Sequence, residues 1–236
     1  MSIEAVLFDL DDTLFDRHRA QVEILRGFKE RFPDIFGDLD DEAMIGAFYE
    51  SDVLANDDFY AGGGLETVRA GRARHFLRLL GLDTSPAADL AKAYVEAYAR
   101  VFCPVDGAPE LVRRLADRMP VGIVTNGFPD VQYAKLNGLG VRDRFRCVII
   151  SDEVGFWKPD PEVFRIAATA LGRSPERCLF VGNNYHDDVV GAKAAGLRAC
   201  WLNPRGEPIP ENGPHPDFQV KDLGELAEIT GLDRRV

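Results

Sequence analysis

Residues 6–16 read VLFDLDDTLFD, and this stretch decides how the rest of the chain is interpreted. The apolar run from Ala5 to Phe8 contains no charge, which predicts a strand buried on both faces, as in a parallel sheet. Open α/β sheets bind ligands at the carboxyl ends of their strands, so we expect Asp9 and Asp11 at the mouth of a crevice. Two carboxylates this close repel each other, and a divalent cation or a held proton relieves the repulsion. Taken alone, an Asp-x-Asp pair is more often an acidic turn that ends a strand.

The composition is that of an acidic globular protein of 236 residues, with 46% hydrophobic residues and a net charge of −11. This charge argues against nucleic acid as a partner, because phosphate backbones are held by clustered Lys and Arg. A small anionic substrate needs only local positive charge. The sequence has no export signal and no apolar run of membrane-spanning length, so we expect a cytoplasmic protein without a membrane partner. The four cysteines are scattered without CxxC spacing, which gives little support to zinc or redox chemistry.

The hydrophobic pattern predicts two kinds of structure along the chain. Residues 17–101 show only helical spacing, which predicts a small helical bundle, and the glycines at 62–64 predict a flexible turn within it. Beyond Cys103, strands alternate with helices, which predicts a parallel sheet covered on both faces. The predicted strands are residues 121–126, 147–150, 178–181, 199–202 and 218–220, and the predicted helices are 107–118, 131–136, 160–171, 188–195 and 223–229.

The first strand must join this later sheet, so the helical segment is predicted to be an insertion. The expected fold is α/β, a Rossmann-like doubly wound parallel sheet with an inserted α-helical domain. We assign residues 1–16 together with 102–236 to the sheet domain and residues 17–101 to the helical one.

Three more of the predicted strand ends carry polar residues. Residues 125–127 (TNG) offer a hydroxyl, an amide and a glycine whose backbone can approach an anion closely. Residues 158–161 (KPDP) hold a cation just before a helix, with a proline suited to its first turn. Residues 182–188 (GNNYHDD) supply further oxygen ligands. Together with residues 9–14 (DLDDTL), and in this order along the chain, they resemble the four motifs of the haloacid dehalogenase (HAD) superfamily of hydrolases.

The resemblance spans nearly the whole chain, and the helical insertion looks like the C1 cap of that family. It implies a phosphatase in which Asp9 is the nucleophile and forms an aspartyl-phosphate. Asp11 would act as general acid toward the leaving group and then as general base toward water. Phosphoryl transfer also needs countercharge on the equatorial phosphate oxygens.

The resemblance likewise implies a Mg²⁺ site and a phosphate site. The magnesium ligands would be Asp9, the backbone carbonyl of Asp11, and Asp188. Thr125 and the backbone amides near Asn126 and Gly127 would bind phosphate oxygens, and Lys158 would offset negative charge. Each of these residues also has an ordinary structural interpretation: Thr125 as a turn cap, Lys158 as a surface charge and Asp188 as a helix N-cap.

One position departs from the family pattern. An acid usually follows the glycine of the fourth motif, and here Asn183 stands there; it can coordinate metal or orient water through its amide oxygen but brings no charge. The function we infer is a Mg²⁺-dependent phosphatase acting on a small phosphorylated metabolite, as a monomer or homodimer. A dehalogenase, a phosphomutase and a non-catalytic phosphate-binding module are the alternatives. The dehalogenases of the family lack the second acid that Asp11 provides.

Overall fold

The computed structural model describes residues 2–60, 62 and 65–232, and a six-stranded parallel sheet is its centre. The spatial order is β3-β2-β1-β4-β5-β6. The strands are β1 (Ala5–Phe8), β2 (Val121–Thr125), β3 (Cys147–Ile150), β4 (Cys178–Gly182), β5 (Arg198–Leu202) and β6 (Phe218–Val220). From β1 the chain adds β2 and β3 on one side, and it then returns to add β4, β5 and β6 on the other side. The carboxyl ends of β1, β2 and β4 therefore lie at the topological switch point, where such sheets bind ligands.

The central strand β1 is buried on both faces, as its uninterrupted apolar sequence predicts. In the register of the sheet, Leu7 lies opposite Gly122 of β2 on one side and Phe180 of β4 on the other. A Cβ at Gly122 would lie only 2.9 Å from a methyl carbon of Leu7 and 2.6 Å from the Cys147 sulfur. A side chain at Gly122 would displace Leu7 and Cys147, so a glycine suits the close packing of β1, β2 and β3 at this position.

Helices cover this sheet as the alternating pattern predicts. They are α6 (Ala108–Ala116), α7 (Pro129–Leu139), α8 (Ser151–Val154), α9 (Pro161–Ala170), α10 (Gly191–Ala194) and α11 (Leu226–Thr230). Helix α8 was not predicted from the sequence, and two of the others differ clearly from the sequence-based bounds. Helix α7 is longer at both ends than the predicted residues 131–136, and the helix predicted at 188–195 begins earlier, with a π-helical turn over Tyr185–Val190.

The inserted segment contains only helices in its described part. These are α1 (Arg17–Arg31), α2 (Pro33–Phe36), α3 (Asp41–Tyr60), α4 (Leu65–Leu79) and α5 (Ala87–Ala97). Aromatic side chains fill the interior of this unit: the Phe36 and Phe76 rings lie 5.7 Å apart and the Phe48 and Tyr94 rings 5.1 Å apart. Of the glycines at 62–64, Gly63 and Gly64 lie outside the described residues.

The predicted fold class is confirmed: the sheet is parallel, doubly wound and Rossmann-like. The chain divides into two compact units, one of Met1–Arg17 with Phe102–Val236 and one of His18–Val101. Across the described part of the chain, none of the helices combines the length and hydropathy needed to span a membrane.

Candidate active site

A single ammonium group joins two carboxylates at the centre of the sheet edge. The Nζ atom of Lys158 donates to Asp9 Oδ1 at 2.8 Å and to Asp188 Oδ1 at 2.6 Å. All three residues are buried, and Lys158 is only 4% exposed. A surface charge is therefore the wrong interpretation of Lys158, since its side chain lies inside the protein between two acids.

The backbone brings these groups together from distant parts of the sequence. Asp9 directly follows β1, and its N–H donates to the Val181 carbonyl of the adjacent strand at 2.9 Å. Asp188 lies in the π-helical turn that follows β4, and its Oδ2 accepts from the Asn184 backbone N–H at 2.9 Å. Asn184 is the N-cap of that turn, so the N-cap interpretation of Asp188 is wrong. A side chain at Gly182 would overlap the Asp188 carboxylate, so the motif needs glycine there.

Burial dominates the electrostatics of these acids. It raises the pKa of Asp9 to about 7, with Lys158 opposing the shift and Asp188 adding to it. Burial also raises the pKa of Asp188, against the opposing effect of Lys158. For Lys158, burial alone would lower the pKa, but Asp188 and Asp9 outweigh it and the pKa is raised. Two acids thus share one firmly protonated cation, and the cluster favours a further positive charge.

Asp11 lies in a separate cluster on the same loop. Lys135 Nζ donates to both oxygens of its carboxylate, at 2.7 and 2.8 Å, and Gln132 Nε2 donates to Oδ2 at 3.2 Å. Burial alone would raise the pKa of Asp11, but Lys135 and then Arg17 reverse the effect and hold this pKa below its usual value. Asp11 is still near enough to Asp9 to raise the pKa of the latter. The two acids of the first motif therefore have different partners and opposite pKa shifts.

The threonine and asparagine of the second motif have different surroundings. Thr125 is buried at the end of β2, where its Oγ1 accepts from Gln132 Nε2 at 2.6 Å. The Asn126 side chain makes three hydrogen bonds: Oδ1 accepts from the Lys158 N–H at 2.8 Å and from Ser151 Oγ at 2.6 Å, and Nδ2 donates to the Lys158 carbonyl at 3.0 Å. Asn126 thus fixes the backbone of the third motif.

Gly127 completes this turn with a backbone that favours glycine. Its φ is 137°, in the left-handed region that L side chains rarely adopt. A Cβ would also press on the Gln132 side chain, whose Cδ lies 3.1 Å from that position. The glycine therefore permits Gln132 to reach Thr125.

Asn183 lies beside the first motif. Its Oδ1 accepts from Thr13 Oγ1 at 3.3 Å, and its backbone carbonyl accepts from Trp201 Nε1 at 2.9 Å. Tyr185 packs edge-on against Trp201, with ring centroids 5.1 Å apart, and its hydroxyl donates to the Pro214 carbonyl at 2.8 Å. The Trp201 side chain and the Pro214 carbonyl, both outside the four motifs, therefore help to hold the fourth-motif loop in place.

The donor set fits a hard cation such as Mg²⁺. Asp9 and Asp188 contribute two carboxylates against the single ammonium of Lys158, and Asn183 adds an amide oxygen. Mg²⁺ takes oxygen ligands and keeps several waters, so a few protein ligands suffice. Among the described residues there is no ready-made group of three acidic, His or Cys side chains for a metal. Binding here would thus depend on two carboxylates and on neutral oxygens.

Two residues of this site were missed from the sequence: Gln132 and Lys135. Both lie on α7, and with Leu136 and Leu139 they are its buried residues. Their spacing is that of the apolar face of a helix, so the available signal was a glutamine and a lysine at positions where apolar residues are expected. The structure brings Asp9, Lys158 and Asp188 into direct contact, and it links Asp11 to Thr125 through Gln132.

The sheet and the site define a class of hydrolase. Residues 3–196 match the family model described as haloacid dehalogenase-like hydrolase. The chain therefore belongs to the HAD-like hydrolase family, as the four motifs predicted.

The similar proteins include both phosphatases and dehalogenases. The chain is 35% identical to a phosphoserine phosphatase of Thermus thermophilus, across 95% of this chain and 98% of that one. It is 30% identical to an (S)-2-haloacid dehalogenase of a Pseudomonas species, across 96% and 94% of the two chains. The solved structure of Bacillus subtilis YfnB bound to magnesium superposes with a TM-score of 0.84 at 28% identity, covering 98% of this chain and 99% of that one.

Proposed function

We propose that this hydrolase is a Mg²⁺-dependent phosphatase that hydrolyses the phosphate monoester of a small metabolite. One observation carries the proposal: Lys158 joins Asp9 and Asp188 across two adjacent strand ends, and a second acid, Asp11, lies two residues after Asp9. Together these residues supply a nucleophile, a fixed cation and a proton carrier. The magnesium-bound YfnB structure supports the choice of metal.

The first half of the reaction transfers the phosphoryl group to the enzyme. An oxygen of Asp9 attacks phosphorus, the ester P–O bond breaks, and the leaving oxygen takes a proton from Asp11. Asp11 must be protonated for this step, although Lys135 lowers its pKa. A dianionic phosphate placed nearby raises that pKa again through like-charge repulsion.

The second half releases phosphate. Water attacks the phosphorus of the aspartyl-phosphate and gives a proton to Asp11, the Asp9 P–O bond breaks, and inorganic phosphate leaves with Asp9 regenerated. Lys158 stabilises charge on the phosphoryl oxygens as Asp9 loses its own. Asp9, Asp188, the Asp11 carbonyl and Asn183 would hold Mg²⁺, and the bound cation would neutralise further charge on the phosphate.

Asp11 is the feature that favours a phosphatase over a dehalogenase. A halide ion leaves without a proton, whereas the alkoxide released from an alkyl phosphate needs a proton donor in the transition state. A dehalogenase therefore has no use for a second acid in the leaving step. Cytoplasmic location, monomeric or homodimeric state and the identity of the metabolite stay predictions.

The activity is tested by phosphate release from an aryl phosphate and an alkyl phosphate, each assayed with excess Mg²⁺ and with EDTA, which removes the metal. We expect phosphate release only with Mg²⁺. The matched assay is halide release from a 2-haloacid, for which no turnover is expected. Halide release without phosphate release would replace this proposal by a dehalogenase, and neither activity would favour a non-catalytic module.

A second expectation concerns Asn183. Asn183→Asp keeps an acceptor for Thr13 and adds a unit of negative charge beside the metal site. The Mg²⁺ concentration for half-maximal activity should fall about fivefold, on the order of 1 kcal/mol, because charge on the ligands tunes affinity for hard cations. A Mg²⁺ titration at saturating substrate measures this. An unchanged midpoint would place Asn183 outside the coordination shell, leaving Asp188 as the ligand from the fourth motif.

A further inference from the structure

Lys135 is a buried charged residue that the proposed reaction does not use. Only 3% of it is exposed, and its Nζ lies 2.7 and 2.8 Å from the two oxygens of Asp11. Burial lowers the pKa of Lys135, while Asp11 opposes that shift. The pair joins positions separated by 124 residues. Lys135 therefore lies against the proposed acid and base of the reaction, on a helix outside the four motifs.

Fold stability alone is a poor explanation of this pair. Taking an ammonium and a carboxylate out of water costs about as much as their attraction returns, so apolar residues of similar size often serve as well. Lys135 also occupies a position on the buried face of α7 where an apolar residue would fill the space without a desolvation cost. A role specific to Asp11 accounts for the lysine better.

Gln132 adds a second restraint from the same helix, one turn earlier. Its Nε2 lies within hydrogen-bond distance of Asp11 Oδ2, Thr125 Oγ1 and the Asn126 carbonyl, at 3.2, 2.6 and 3.2 Å. An amide nitrogen has two hydrogens for these three acceptors, and the shortest contact is to Thr125. Gln132 thus couples the first motif to the second, while Lys135 supplies the two shorter contacts to Asp11.

We propose that Lys135, assisted by Gln132, is a positioning residue that holds the Asp11 carboxyl group in the orientation from which it exchanges protons with leaving group and water. The inference rests on the proposed phosphatase function. A carboxyl group that is free to rotate spends less time in the reactive geometry, so loss of the restraint lowers the rate of the proton-dependent steps. Substrate and metal contacts are made by other residues and should persist.

The primary variant is Lys135→Met, which keeps length and removes the charged donor. We expect kcat for an alkyl phosphate to fall about tenfold and kcat for an aryl phosphate about threefold, because proton donation matters most for poor leaving groups. KM and the Mg²⁺ concentration for half-maximal activity should stay within about twofold of wild type, because the contacts that bind substrate and metal in the ground state are retained. Lys135→Gln, which keeps an N–H donor, should fall between Lys135→Met and wild type.

Lys193→Met is the matched control. Lys193 forms an ion pair of similar length, 2.8 Å to Asp217, in the same unit but with no contact to the four motifs among its described partners. The Lys193→Met variant should have the same kcat as wild type for both substrates. Thermal unfolding of all variants shows whether any loss comes from unfolding, and Lys135→Gln serves if Lys135→Met does not fold.

A double-mutant cycle separates positioning from a general structural role. If Lys135 acts through Asp11, adding Lys135→Met to Asp11→Asn should lower aryl phosphate turnover by less than about 1.5-fold further, because energies of coupled residues do not add. If the fold-losses of Lys135→Met and Asp11→Asn instead multiply in the double variant, the proposal is overturned. Equal losses for the alkyl and the aryl phosphate in Lys135→Met alone would also overturn it. Absence of all phosphatase activity in the wild-type protein would instead overturn the proposed function.

Discussion

Asp9→Asn is expected to reduce phosphate release by roughly 10³-fold or more, because an amide oxygen cannot serve as the nucleophile and losses of this size accompany removal of one. The fold should survive. The amide is nearly isosteric with the carboxylate, and Lys158 retains its 2.6 Å contact to Asp188. The measurement is phosphate release from an aryl phosphate with Mg²⁺, together with thermal unfolding of the same preparation.

Asp217→Asn provides the matched control for this prediction. Asp217 also accepts from a lysine, at 2.8 Å from Lys193 Nζ, and from the Ala199 N–H at 2.8 Å, but it takes no part in the four motifs. Its amide variant should keep wild-type turnover even if its unfolding temperature falls. If Asp9→Asn keeps turnover within about tenfold of wild type, Asp9 is not the nucleophile, because loss of the nucleophile should cost far more than tenfold.

Lys158→Met is expected to damage stability as well as catalysis. It removes the cation shared by two buried acids, and breaking a buried ion pair from one side costs about 3–5 kcal/mol because the remaining charge is uncompensated. Here Asp9 and Asp188 would both lose their partner. Urea unfolding should show the loss as a lower midpoint. Turnover should fall as well, since Lys158 offsets charge on the phosphoryl group.

Magnesium offers an independent measurement on the same variant. If Asp9 and Asp188 are metal ligands, Mg²⁺ should raise the unfolding midpoint of Lys158→Met more than that of wild type. Without the lysine the two carboxylates attract the cation more strongly, and a cation bound to the native state stabilises it. Lys193→Met, which breaks a half-exposed ion pair, should lose about 1 kcal/mol or less and show no extra response to Mg²⁺. Equal stability of Lys158→Met and wild type would mean that Lys158 does not compensate these acids.

Local patterns were sufficient to predict the sheet and three of its charged residues. A strand buried on both faces is recognisable because its apolar run is continuous, as in Ala5 to Phe8, and parallel strands place their carboxyl ends at one edge. Asp9 and Asp188 each follow such a run, and Lys158 precedes a helix that begins with proline. Chain direction places the residues that follow β1 and β4 at the same sheet edge, which explains why the motifs could be assigned before any contact was seen.

The sequence by itself therefore determined the fold class and the family, because strand periodicity and the residues at strand ends are local properties. Only the tertiary structure decided which charged residues pair with the two acids of the first motif. Asp9 shares Lys158 with Asp188, whereas Asp11 is held by Lys135 from α7. Such pairings depend on which face of a helix packs against the sheet and on contacts more than 100 residues apart in the chain. Hydrophobic periodicity can place Gln132 and Lys135 on the buried face of α7, but it does not show which acid they contact.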